Sequence, residues 1–124
     1  MRGTTQNLTS RALALEATRV VEEKKAESVM LLDVGELSAL CDYFLICTGD
    51  SLVHMKAIAR ALEEELGSKG ASLLTKGRYL NRQWVLLDFG GLVVHIFSPD
   101  ARDYYQLERL WADAQEMDVA RLRG

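Results

Sequence analysis

The residues of this chain best suited to chemistry are Asp88 and His95, which lie in two apolar segments joined by Gly90-Gly91. An imidazole near a carboxylate can serve general acid–base catalysis, and the same two groups can ligate a metal ion. A catalytic base needs a nucleophile or substrate within reach, and no serine or cysteine is placed beside this pair. A metal site needs more ligands, and His54 falls in a distant helical segment. The pattern therefore favours a half-buried structural histidine.

A second candidate is TGDS, residues 48–51, a turn from a predicted strand into a predicted helix. Its glycine permits close backbone approach and the helix start offers free N–H groups to an anion, so the turn resembles the entry to a nucleotidyltransferase site. Such an enzyme also needs paired carboxylates that hold magnesium. The predicted strands carry only isolated acids, Asp33 and Asp88. Helix capping by Asp50 or Ser51 is the favoured interpretation, and a nucleotide-binding enzyme that uses TGDS and Asp88 is the alternative.

The elements that must position these residues follow from hydrophobic periodicity. The first half is predicted as a helix from Thr9 or Ser10, strands at 29–34 and 43–49, and a helix from residue 51 to Gly67 or Gly70. The second half is predicted as a weak strand at 71–77, a loop at 77–83, a hairpin around Gly90-Gly91, and one helix after Ser98. One face of this final helix carries a stripe of Tyr104, Leu107, Leu110, Trp111 and Ala114. A strand–helix–strand succession favours a parallel crossover, whereas the glycine pair requires an antiparallel one. A mixed sheet of about five strands with helices packed on it is predicted.

The hairpin separates into two faces if Gly90-Gly91 form a two-residue turn, which places Asp88 opposite Val93 and Trp84 opposite Phe97. One face is wholly apolar and predicted to be core: Val85, Leu87, Phe89, Leu92, Val94 and Ile96. The other face is mixed: Trp84, Leu86, Asp88, Val93, His95 and Phe97. A buried carboxylate needs a partner, so part of the mixed face is expected near the surface.

Composition and charge limit the function classes. The 124 residues have the length of one domain, 48% are hydrophobic, and the net charge is −3. An acidic chain is poorly suited to gripping phosphate backbones, so little or no direct nucleic-acid contact is expected. Cys41 and Cys47 lack the neighbouring ligands of a zinc site, and no cofactor is expected. No segment has the pattern of a signal peptide or a membrane span, which predicts a cytoplasmic protein without membrane contact.

Three separated motifs, CDYFLICTGDSLVHMKAIARALEEEL, WVLLDFGGLVVHIF and DYYQLERLW, occur in this order in the chain. Together they closely resemble the ribosomal silencing factor family, also called RsfS or Iojap-like proteins. The resemblance implies a single α/β domain at residues 8–114, with a mixed five-stranded sheet flanked by helices, related to nucleotidyltransferases but without their catalytic acids. Residues 115–124 are then a charged tail, which is expected to fray.

The resemblance also implies a function without a catalysed reaction. Such a protein binds the large ribosomal subunit at ribosomal protein fourteen, sterically blocks association with the small subunit, and represses translation when nutrients are short. A homodimer that covers its own mixed face stays open as a further possibility.

Residues at the family's motif positions, combined with the mixed face of the hairpin, predict the partner-binding surface. The predicted contacts are Trp84, Leu86, Asp88, His95, Phe97, Tyr104 and Leu107. An acidic and aromatic face suits a basic ribosomal protein, with Trp84 as an anchor and Asp88 paired to lysine or arginine. The chain departs from the family at Gly91 and Lys76, where an acid is usual, and both changes remove negative charge near this surface.

Overall fold

The computed structural model describes residues 9–74 and 78–119 as a mixed sheet with helices on both faces. The helices are α1 (Ser10–Glu23), α2 (Leu52–Ser68), α3 (Pro99–Tyr105) and α4 (Leu107–Leu110), and the strands are β1 (Glu27–Asp33), β2 (Tyr43–Thr48), β3 (Arg78–Asn81), β4 (Trp84–Asp88), β5 (Leu92–Phe97) and β6 (Gln115–Glu116). The sheet order is β3-β4-β5-β2-β1-β6. The mixed sheet of five strands is confirmed, and a two-residue strand extends it at one edge.

Three helices begin at hydroxyl side chains that accept a hydrogen bond from a backbone N–H in the first turn. Thr9 Oγ1 accepts from the N–H of Ala12 at 3.0 Å, Ser51 Oγ from His54 at 3.1 Å, and Ser98 Oγ from Ala101 at 3.1 Å. Each hydroxyl satisfies a donor that the helix itself leaves unpaired. The cap of α2 is therefore Ser51, one of the two residues predicted for it.

The hairpin has the predicted register. Asp88 lies opposite Val93 and Trp84 opposite Phe97, and the N–H of Phe89 donates to the carbonyl of Leu92 at 2.9 Å. Gly90 has φ +92°, in the left-handed region that favours glycine, so the turn requires it. All six residues of the predicted core face are buried.

The edge strand β3 differs from its prediction. Residues 71–74 form no strand, residues 75–77 lie outside the described part, and Arg78–Asn81 pair antiparallel with β4 inside the segment predicted to be a loop. The crossover from β2 through α2 does return to a strand of the same direction. However, the parallel neighbour of β2 is β5 rather than β3. A polar edge strand is stabilised by backbone hydrogen bonds, which leave no apolar signature in the sequence.

The core has two layers, one on each side of the sheet. Helices α1 and α2 cover the first side with side chains such as Val20, Ile58 and Leu62, all fully buried against β2, β4 and β5. On the second side, Ile46 and Phe97 are fully buried and Leu107 nearly so. This second layer is thinner because short helices and loops cover it.

The single final helix predicted after Ser98 is wrong, because the chain breaks at Gln106. That residue has φ +47°, and it separates α3 from α4. The Arg102 guanidinium spans the break: its Nε donates to the Glu108 carboxylate at 3.1 Å and Nη1 donates to Thr48 Oγ1 at 3.0 Å. The predicted stripe is therefore divided, since Leu107 is buried whereas Leu110 is 76% exposed.

The start of the C-terminal segment is attached to the sheet instead of frayed. Gln115 and Glu116 pair with β1, and the N–H of Met117 donates to the carbonyl of Leu31 at 2.8 Å. The predicted domain boundary at residue 114 is thus followed by residues that still belong to the sheet, and residues 120–124 lie outside the described part.

Candidate partner-binding face

A row of aromatic rings crosses the second side of the sheet. The Trp84 ring centroid lies 4.9 Å from that of Phe97 and 4.9 Å from that of Tyr105, and Tyr104 lies 5.0 Å beyond Tyr105. We call this surface the aromatic face: Trp84, Leu86, Asp88, Phe97, Tyr104 and Tyr105. It forms because alternation along β4 and β5 points these strand side chains away from α1 and α2.

The predicted contact residues occupy different depths in this face. Phe97 is fully buried, and His95 and Leu107 are 5% and 8% exposed, so these three side chains form its floor. Trp84, Leu86 and Asp88 are half-buried, and Tyr104 is 80% exposed. The strand residues are brought together as predicted, whereas Tyr104 points outward from α3.

Two exposed side chains, Tyr105 and Leu40, were not among the predicted contacts. Tyr105, rather than the predicted Tyr104, is the tyrosine whose ring packs on Trp84. Leu40 is 90% exposed and directly precedes Cys41, which is buried in the same cluster as Phe97. Leu40 lies in the connector between β1 and β2, where Leu37 and Ala39 are also apolar, so the sequence pattern did not distinguish it.

His95 is held in the neutral state. Its Nδ1 accepts a hydrogen bond from Trp84 Nε1 at 3.2 Å, and its ring lies 4.9 Å from Phe44 and 6.2 Å from Phe97. Burial among these rings lowers the pKa of His95 to about 4. A buried imidazole whose Nδ1 is already engaged is poorly placed to accept a proton from a substrate.

Asp88 and TGDS lie at opposite ends of the sheet. Asp88 pairs with Val93, whereas Thr48 pairs with Phe97, four residues further along β5. Four residues of extended strand span about 13 Å. Asp88 and the TGDS turn, the two features that the nucleotide-binding alternative needs together, are therefore too far apart to hold one phosphate between them.

Each of these two features has a structural role. The Asp88 carboxylate accepts a hydrogen bond from the N–H of Gly90 at 2.8 Å, which supports the hairpin turn. A Cβ on Gly49 would lie 2.7 Å from the Met55 Cγ and 3.1 Å from the Met55 backbone nitrogen, so glycine lets the turn pack on α2. Within residues 9–74 and 78–119, no three His, Cys, Asp or Glu side chains converge as metal ligands would.

An open cleft of about 660 Å³ adjoins the outer end of the aromatic face, between the β3–β4 turn and α3. Its lining is Asn81, Arg82, Gln83, Asp100, Ala101, Asp103, Tyr104 and Tyr105. The two aspartates are exposed and sit three residues apart on one side of α3. With Arg82 as the one basic residue of this lining, they leave a net negative charge beside exposed aromatic rings, which suits positively charged side chains.

The fold and this face together define a small α/β domain with a partly exposed aromatic surface on one side of its sheet. Among the described helices, none has the length and apolar character required to cross a membrane. Comparisons with known proteins then assign the family. A family model described as "Ribosomal silencing factor during starvation" matches residues 7–124.

The chain belongs to this family of ribosomal silencing factors. It is 40% identical to the ribosomal silencing factor RsfS of Halalkalibacterium halodurans over 103 residues, which cover 83% of this chain and 88% of that protein. It is 39% identical to RsfS of Bacillus subtilis over 103 residues, covering 83% and 87%. A crystal structure of a Chromobacterium violaceum protein superimposes with a TM-score of 0.80 at 30% identity, covering 85% of this chain and 88% of that one.

Proposed function

We propose that this protein represses translation by binding the large ribosomal subunit through ribosomal protein fourteen, where it sterically blocks association with the small subunit under nutrient limitation. The observation that carries the proposal is the aromatic face, in which the half-buried Trp84 lies between a buried floor and the exposed tyrosines of α3. Membership of the silencing factor family supports it. The protein acts by occupying a surface in the cytoplasm, without catalysing a reaction.

In the proposed contact, exposed and buried side chains have different roles. Trp84, Leu86, Asp88 and Tyr104 reach solvent and contact the partner, while His95, Phe97 and Leu107 support them from below. Aromatic side chains on a rigid floor are the usual anchors of protein interfaces, because they bury a large area and lose little conformational entropy on binding.

Charge supports a basic protein partner over nucleic acid. The chain carries a net charge of −3. The aromatic face has Asp88 at one end, and at the other it adjoins Asp100 and Asp103, whose charge exceeds that of the nearby Arg82. Acidic groups around an aromatic centre steer a lysine- or arginine-rich surface towards it and repel phosphate backbones.

The structure explains one departure from the family, the glycine at residue 91, whose Cβ position faces α1 rather than the aromatic face. A Cβ on residue 91 would lie 2.0 Å from the Ser10 Oγ and 2.9 Å from the Ser10 Cβ, at the start of α1. In this chain, therefore, an acidic side chain at residue 91 does not fit beside Ser10. Lys76, the other departure, lies outside the described residues.

Co-sedimentation with purified ribosomal subunits tests this proposal. The wild-type protein should pellet with large subunits at physiological salt and not with small subunits. Trp84→Ala should lose this binding, whereas Val53→Ala, which removes an exposed apolar side chain from α2, should retain it. Equal binding to both subunits, or equal loss in both variants, would contradict the proposal.

The same material decides between two other possibilities. A homodimer that covers its own aromatic face predicts a doubled mass in solution and a Trp84→Ala variant that becomes monomeric. A nucleotide-binding enzyme predicts a rise in melting temperature with ATP and magnesium, since a ligand that binds the folded state stabilises it.

A further inference from the structure

One atom under the aromatic face lacks a hydrogen-bond partner. Among the described residues, His95 Nε2 is the single buried side-chain nitrogen or oxygen without one. Buried polar groups are nearly always paired, because leaving one unpaired in an apolar environment is unfavourable. A phenylalanine would pack beside Phe44 and Phe97 without this penalty, so the imidazole at residue 95 calls for an explanation.

The hydrogen bond to Trp84 fixes the tautomer of His95. An indole Nε1–H only donates, so the His95 Nδ1 that lies 3.2 Å from it must carry the lone pair. The ring proton of the neutral imidazole is therefore on Nε2, the unpaired atom. The opposite tautomer would direct two N–H groups at one another. Since burial lowers the pKa of His95 to about 4, the ring remains a neutral acceptor at physiological pH.

This hydrogen bond constrains the orientation of the Trp84 indole, which its ring contacts do not. The indole packs on Phe97 and Tyr105 at tilted angles of 37° and 48°, and such ring contacts tolerate rotation. Among the described residues, His95 Nδ1 is the one hydrogen-bond partner of the Trp84 side chain. It selects one orientation of a half-buried ring.

We propose that His95 is a positioning residue, which uses its Nδ1 lone pair to hold the Trp84 indole in the orientation presented to the partner. The inference rests on the proposed function for its consequence, since a preorganised anchor loses less conformational entropy when it binds. The neutral imidazole has a single N–H, so an acceptor at Nδ1 requires the proton to be on Nε2, and this explains why a nitrogen without a partner is present there.

Two substitutions separate this role from simple packing. His95→Phe keeps a ring between Phe44 and Phe97 but removes the acceptor. His95→Asn loses the ring but keeps an acceptor near the position of Nδ1. Loss of packing would harm the asparagine variant more, whereas loss of the acceptor would harm the phenylalanine variant more.

The readouts are NMR spectra of the full chain and affinity for large ribosomal subunits. In the wild type, His95 should show the Nε2–H tautomer, and the Trp84 indole proton, assigned by its persistence in Trp111→Phe, should exchange slowly with solvent. His95→Phe should lose this protection and bind large subunits roughly 2- to 12-fold more weakly. His95→Asn should retain more of both properties.

The proposal is overturned if wild-type His95 carries its proton on Nδ1, or if His95→Phe leaves the exchange of the Trp84 indole unchanged. Neither measurement needs the ribosome, so each remains decisive if the wild-type protein fails to bind subunits and the proposed function falls. The tautomer is read on the wild type alone, which keeps the test valid if His95→Phe does not fold.

Discussion

Acidification should destabilise the fold through His95. In the folded protein its pKa is about 4, whereas the ordinary value expected in the unfolded chain is 6.5. As the pH falls below 6.5, the unfolded state takes up a proton that the folded state refuses, so the stability falls until the pH reaches about 4. Well above pH 6.5 the imidazole is neutral in both states, so His95 causes no loss of stability there.

The magnitude follows from the difference between the two pKa values. A difference of one unit between the pKa values of the folded and unfolded states corresponds to about 1.4 kcal/mol. The free energy of unfolding should therefore fall by about 3 kcal/mol between pH 7 and pH 4 because of His95. That is a large fraction of the roughly 5–15 kcal/mol that stabilises a typical domain. The burial of the ring is the cause, since no charged group faces it in the aromatic cluster.

Urea unfolding measured at intervals between pH 7 and pH 4 tests this prediction. Other ionisable groups contribute to the pH dependence of both proteins, so the relevant quantity is the difference in the free energy of unfolding between the wild type and His95→Phe. The difference should change by about 3 kcal/mol in favour of the variant as the pH falls. Parallel stability curves for the two proteins would refute the inference that His95 is buried in its neutral state.

Three further substitutions have expected outcomes. Trp84→Ala should weaken binding to large subunits by about 2 kcal/mol or more, measured by co-sedimentation, with an unchanged far-UV circular dichroism spectrum. Gly91→Ala should lower the free energy of unfolding by about 1–3 kcal/mol through overpacking against Ser10, and Ser10→Gly should restore much of the loss, which a urea double-mutant cycle measures. Arg102→Met should lower it by about 1–3 kcal/mol, because Glu108 then lacks its ion-pair partner, and equal melting curves would contradict this.

The hairpin and its two faces were predictable because a period of two and a glycine pair specify register together. Once Gly90-Gly91 form the turn, every residue of β4 and β5 has one possible opposite neighbour and one possible face. The burial of Val85 and Ile96, and the partial exposure of Asp88, follow from this pattern alone. The same reasoning placed Trp84 beside Phe97.

Two features were not predictable from local pattern. The break between α3 and α4 occurs at Gln106, which is neither glycine nor proline, and the guanidinium of Arg102 spans it through contacts with Glu108 and the distant Thr48. Strand β3 is likewise held by its pairing with β4. In both cases tertiary interactions override a weak local preference.

The residues that form the candidate site could be predicted from the sequence, but the burial of each side chain could not. Pattern placed Trp84 and His95 on one face, but only the structure shows that the imidazole lies beneath the surface and accepts a hydrogen bond from the indole. Alternation reports the side of a strand and not the thickness of what covers it. In this chain the cover over His95 is set by the rings of Phe44, Trp84 and Phe97.

Subunit joining, followed by light scattering, measures directly whether the protein keeps the two ribosomal subunits apart. Large subunits are incubated with increasing amounts of the wild-type protein, Trp84→Ala or Val53→Ala, and small subunits are then added. If the protein acts by occlusion, the wild type and Val53→Ala suppress the formation of joined ribosomes in proportion to the large subunits bound, while Trp84→Ala does not. Undiminished joining at saturating wild-type protein would contradict repression by occlusion.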